Sequence, residues 1–219
     1  VANLVDKSID WVTENLAGFF RAVQSSGSTI MDFVSDTLSF IHPLILLVII
    51  TLLAFIVSEK KKSFTILTAL GLLYIYNQGL WSGMINTFTL VLLASIISII
   101  IGVPLGIWMA KSERAKQIIN PILDFMQTMP AFVYLIPAVA FFGIGMVPGV
   151  FASVIFALPP TVRFTNLGIR EIPAELIEAA ESFGSTDKQK LIKVELPLAK
   201  NTIMAGVNQT IMLALSMVV

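Results

Sequence analysis

Between residues 163 and 200 the chain carries six basic side chains (Arg163, Arg170, Lys188, Lys190, Lys193, Lys200) and six acidic ones (Glu171, Glu175, Glu178, Glu181, Asp187, Glu195). Long apolar runs stand on both sides of this charged island. A charge at the centre of a membrane helix costs about 2.5–3.5 kcal/mol, so the island cannot sit in lipid. Nearly everything around it can. Apolar residues make up 56% of the chain and charged residues 13%, against about 25% charged in an ordinary soluble domain. The expected fold is therefore an all-α, polytopic membrane helix bundle with one large polar loop.

Composition narrows the chemistry. The net charge is zero, which gives no reason to expect a nucleic-acid partner. There is no Cys, and His42 is the single histidine, so thiolate chemistry and multi-His metal sites are excluded. A phosphate loop of the GxxxxGK[ST] type is absent, so ATP is not bound by that route. No catalytic residue, metal or cofactor is expected, and the chain does not read as an enzyme. It starts at Val1 and stops at Val219 inside an apolar run, which reads as a piece truncated at both ends.

Residues 4–23 and roughly 29–41 are amphipathic, separated by Gly27 and followed by Pro43. Both suit helices too polar to span, lying either along a membrane surface or on a soluble partner. Six apolar runs follow: 44–58, 64–81, 84–110, 117–143, 149–167 and the start of another at 201–219. The chain thus divides into an N-terminal surface segment (1–42), two peripheral spans (43–82) and a core (83–219) whose polar loop covers 163–200. Most of its Lys and Arg cluster at 60–62, 111–116 and 163–200, while the connections near 82 and 146 have none. With these spans the three basic places share one side, which the positive-inside rule makes cytoplasmic, leaving the N-terminal segment outside.

Ala94, Ser98, Gly102, Gly106 and Ala110 place a small residue at every fourth position, a stripe that lets helix backbones approach closely in lipid. Pro130, Pro137, Pro159 and Pro160 interrupt apolar runs. They are either kinks satisfied by neighbours or breaks lining a cavity. Polar residues within spans tend to face a bundle interior or a cavity. On that ground Asn86, Gln127, Asn208 and Gln209, with Met129 and Pro130 beside Gln127, are candidates to line a cavity or pathway, with packing roles equally open.

Within the island, Pro173 suits the first turn of a helix. Ile172, Leu176, Ala179 and Phe183 fall on one face and Glu171, Glu175 and Glu178 on another. Gly184 is a natural stop. Thr186 and Gln189 have capping-box spacing, opening a second short helix that Leu196-Pro197 should close. Such a pair cannot bury its own apolar face. It needs either a protein partner or the inner leaflet.

Glu178-Ala179-Ala180, then Gly184, then Val194 and Leu196-Pro197 resembles the signature loop of binding-protein-dependent (type I) ABC importer permeases. The usual residue at the position of Val194 is Ile, a mild departure. In that family the loop is a coupling helix that fits a groove on an ATP-hydrolysing subunit. The resemblance implies that Glu178, Ala179, Ala180, Gly184, Val194, Leu196 and Pro197 form the ATPase contact and its hinge. The stretches 127–137, 142–145 and 163–170 are similar to permeases for glycine betaine, proline betaine, choline and related osmoprotectants.

What the resemblance implies is a transport subunit of the cytoplasmic (inner) membrane. It would work with a second permease copy, two ATPase subunits that bind ATP and Mg, and an extracytoplasmic binding protein or fused domain. The family core has five spans, so the C-terminal part is expected to be missing here. Competing readings are an ABC permease for another small solute, such as an amino acid, or an ATP-independent transporter or channel. Asp124 is the sole intramembrane charge available to the latter.

Overall fold

The computed structural model describes residues 17–58, 61–130 and 132–218, which are helical with no strand among them. Helix α1 (Ala17–Phe40) runs unbroken through Gly27, where two helices were expected. A helical Gly costs about 1 kcal/mol relative to Ala, too little to end a helix of this length. Residues 4–16 of the expected first helix lie outside the described residues. Helix α2 (Pro43–Val57) places Pro43 in its first turn, and the His42 ring accepts from the Leu44 N–H at 3.4 Å. The lone histidine is thus spent as a helix cap.

Helix α3 (Lys62–Asn77) ends before Gly79, whose φ of +70° allows the turn into α4 (Trp81–Lys111). At 1.5 Å per residue, α2 and α3 are about 22 and 24 Å long, short of a hydrocarbon core of about 30 Å. They cover most of the two runs expected as peripheral spans, 44–58 and 64–81. Helix α1 from Gly18 and α2 together are long and apolar enough for one crossing, bent by 94°. The chain forms two compact units: residues 21–90, and residues 91–219 with the described residues up to Phe20.

In the second unit α4 lies against α7 (Met146–Arg170), and α7 against α10 (Leu196–Val218). The small-residue stripe forms the first seam. A Cβ on Gly102 would stand 2.8 Å from Thr161 Cγ2, and one on Gly106 2.5 Å from Thr165 Cβ and 2.7 Å from the Val162 carbonyl. Contacts 102/161 and 106/165 advance together, so α4 and α7 run parallel. Across the second seam Gly168 faces Thr202 and Ala199, and Gly206 faces Phe164 and Pro160. Those pairs run oppositely, so α10 is antiparallel to α7. The ends at Lys111, Arg170 and Leu196 consequently lie together.

Prolines behave differently by position. Pro137, Pro159 and Pro160 lie inside continuous helices, with Pro159 and Pro160 buried. Pro130 sits at a break. The expected span 117–143 is instead α5 (Glu113–Thr128) and α6 (Phe132–Phe142), bent by 98°. Without an N–H, Pro130 cannot serve the Met126 carbonyl one turn back. The buried Tyr134 hydroxyl donates to that carbonyl instead, at 2.8 Å. Among the described residues, α4 and α7 are each long and apolar enough to cross a membrane, and α5 with α6 pass that test as a bent pair. Helix α10, with Asn201, Asn208 and Gln209, is not among them.

Candidate functional site

The charged island folds as expected in outline and differs at its ends. Helix α8 (Ala174–Ser182) follows α7 after a three-residue link, with Pro173 as N-cap, one position earlier than the first turn. It ends in a Schellman motif: the Gly184 N–H reaches the Glu181 carbonyl (2.8 Å) and the Ser185 N–H the Ala180 carbonyl (3.1 Å). Gly184 has φ +76°, a left-handed conformation that strains any side chain. Helix α9 (Asp187–Lys190) then opens with a complete capping box, Thr186 and Gln189 satisfying each other's backbone amides.

Leu196-Pro197 does not close this second helix. The chain continues through a π-helical turn (Leu191–Glu195) directly into α10, where Leu196 and Pro197 form the first turn. Pro197 lacks a donor for the preceding turn. The Leu196 N–H bonds the Leu191 carbonyl, five residues back, and the widened turn absorbs the defect.

Electrostatics hold the hairpin together. Lys190 is only 8% exposed and its ammonium bridges Glu181 of α8 and Asp187 of α9, the latter at 3.1 Å. These two hydrogen bonds, Glu181 first, hold its pKa above the usual lysine range despite burial. Glu195, 2% exposed inside the π-turn, bonds Lys111 at the end of α4 at 2.5 Å. Neither Lys190 nor Glu195 stood out in the sequence, since a charge run ordinarily reads as a solvated face.

The tip is open. Glu178, Ala179 and Gly184 are exposed, and Phe183 is 91% exposed, an aromatic ring with nothing covering it. Ala180, Val194 and Leu196 are half-buried, while Pro197 is exposed at the start of α10. The seven residues thus split between a projecting tip and a root. The pathway candidates do not gather. Asn86 lies in the other unit, its amide oxygen accepting from Ser35 at 3.1 Å. Gln127, Met129 and Pro130 stand at the α5–α6 corner, and Asn208 and Gln209 on an exposed face of α10. No hydrogen bond among the described residues links these six side chains.

A model of the family described as "binding-protein-dependent transport system inner membrane component" matches residues 102–219, from mid-α4 through the hairpin to α10. The chain belongs to this family. The permease is 56% identical, over all of its own length and 78% of the relative's, to a glycine betaine/carnitine transport permease protein of Listeria monocytogenes. It is 51% identical to a glycine betaine transport system permease protein of Bacillus subtilis, over 100% of this chain and 77% of that one. A glycine betaine/proline betaine permease of Escherichia coli is 48% identical over 98% of this chain and 60% of its own.

Further charged side chains fasten the permease around the hairpin's root. Arg170, the last residue of α7, donates to Asn166 (3.0 Å), to the Met109 carbonyl in the last turn of α4 (2.9 Å), and to Glu113 at the start of α5. Arg163 pairs with Asp124 near the other end of α5.

Proposed function

We propose that this chain is the permease subunit of an ATP-driven importer for glycine betaine or a related quaternary-ammonium osmoprotectant. In this reading α8 and α9 are the cytoplasmic docking element for an ATP-hydrolysing subunit, and ATP and Mg are held by that partner. The observation that carries it is the hairpin tip: internally clamped by Lys190, yet presenting Ala179, Phe183 and Gly184 bare. An exposed apolar tip on a rigid mount suits a preformed partner groove. Substrate class rests on the similarity to the named betaine permeases along the full chain.

Two such permeases with two ATPases would alternate between inward-open and outward-open shapes, an extracytoplasmic binding protein or domain delivering solute. Residues 83–219 form the permease core, with 1–42 outside at the membrane surface and 43–82 peripheral. Gln127, Met129, Pro130, Asn208 and Gln209 are proposed for the pathway, with Asn86 a less direct candidate because Ser35 occupies it. Intact protein purified from mild detergent should bring down an ABC ATPase. Once reconstituted, its ATP hydrolysis should rise with glycine betaine and its binding protein, and not with an amino acid. Copurification with stimulation by an amino acid alone would replace the substrate; absence of any ATPase would remove the function.

A further inference from the structure

Helix α5 is fixed to α7 at both ends. Glu113 pairs with Arg170 and Asp124 with Arg163. Between these pairs Ala115, Ile119 and Leu123 bury against Met109 and Val162. Eleven residues of α5, about 16 Å, lie over seven residues of α7, about 10 Å. The two helices therefore run in opposite directions. The far end of α5 carries the corner to α6, which the Tyr134 hydroxyl braces through the Met126 carbonyl. The near end is held by Arg170, which also ties to α4 and is separated from the start of α8 by only three residues.

We propose that α5 is a transmission strut: the two arginines of α7 make α5 move as one body with the hairpin's root and carry that displacement to the α5–α6 corner. Arg163 and Asp124 are positioning residues in this device. They touch neither solute nor nucleotide, and act by fixing where the corner stands when the hairpin moves. Two charge-assisted contacts straddling an apolar patch resist both sliding and rotation, which the patch alone would allow. The Tyr134 bond prevents the bend from absorbing the motion before it reaches α6. The proposal rests on the docking reading above, because it takes the hairpin as the driven end.

The test uses the complete transporter, with its ATPase and binding protein, in proteoliposomes, reading glycine betaine uptake and ATP hydrolysis side by side. Arg163→Asp and Asp124→Arg alone should leave ATPase copurification intact and hydrolysis within about twofold, while uptake per ATP falls about tenfold. The double exchange, Arg163→Asp with Asp124→Arg, should recover at least about a third of that ratio by restoring the pair. Should charge reversal block insertion, the near-isosteric Asp124→Asn reads the same quantity, with a fall of about threefold expected.

An unchanged ratio in the single variants, or a double exchange no better than either, overturns the strut. A wild-type preparation that lacks an ATPase fails the docking reading instead. The chain contains no Cys, which allows a second readout. Cysteines at 124 and 163 remove the ion pair and should lower uptake per ATP, and bridging them with a short thiol-reactive linker should raise it again if the helices move together. A bridge that leaves the ratio low, or lowers it further until the linker is cleaved, also overturns the strut.

Discussion

The α4–α7–α10 seams and the α8–α9 hairpin meet at the same end of the second unit, yet they are built by opposite means. The seams are made of what is missing: Gly102, Gly106, Gly168 and Gly206 lack side chains, so helix backbones approach until threonines and carbonyls touch them. In lipid, where apolar surface gains nothing by leaving the solvent, such close packing is the main available adhesive. The hairpin is held by charges and caps, and leaves its largest apolar group, Phe183, uncovered. The seams bury what they pack, whereas the hairpin leaves its apolar tip free.

The strongest blow to this contrast falls on a seam. Gly106→Leu cannot be accommodated beside Thr165 and the Val162 carbonyl, and should destabilise the permease by about 3 kcal/mol or more. Thermal unfolding in detergent should show it as loss of the monodisperse peak. If the variant melts as the wild type does, the seam is not close-packed.

Gly184→Val comes next. Its strain of about 1–2 kcal/mol is confined to one turn, so insertion and melting should hold while uptake and solute-stimulated hydrolysis fall together. Wild-type uptake would show that the shape of the tip is immaterial.

Smaller is Thr161→Val. Thr161 and Thr210 are joined at 2.7 Å, and Thr210 donates to the Ala157 carbonyl at 2.9 Å, all buried between α7 and α10. Cutting the first link should cost about 1 kcal/mol in the melt. The hairpin, tied by none of these bonds, should keep its hydrogen-exchange pattern.

Least costly to the whole is Lys190→Met, which unclamps the hairpin. Amides across 174–190 should exchange faster with the seams unaffected. Lys190 has a pKa raised above 10.5 by its two carboxylates. Its clamp is therefore fully present below that value and is lost as pH rises through the folded value. Wild-type hairpin exchange should accelerate beyond its base-catalysed trend only in that alkaline range, and the variant should lack the step.

These contrasts also explain what could be read from residues alone. Local rules carried the hairpin turn: Gly184 at a helix stop and Thr186 with Gln189 each specify geometry within four residues. The four-residue stripe of small side chains carried the first seam. What escaped depends on neighbours distant in the chain. Pro130 breaks its helix and Pro137, Pro159 and Pro160 do not, though each lacks the same N–H. The ion pairs 111/195, 113/170 and 124/163 join residues far apart, and no periodicity points from one to its partner. Val194 and Leu196-Pro197 stood out as a motif, but the π-turn that carries the chain through them follows from Pro197 meeting a helix already under way.

In the proposed importer the hairpin tip grips an ATPase. Because the chain has no Cys, Ala179→Cys introduces the sole thiol of the permease. In transporter competent for uptake, a short crosslinker from residue 179 should join the permease to the ATPase subunit, with the yield changing between nucleotide-free and ATP-bound states. A thiol at 179 that reacts freely in both states and never captures the ATPase would contradict it.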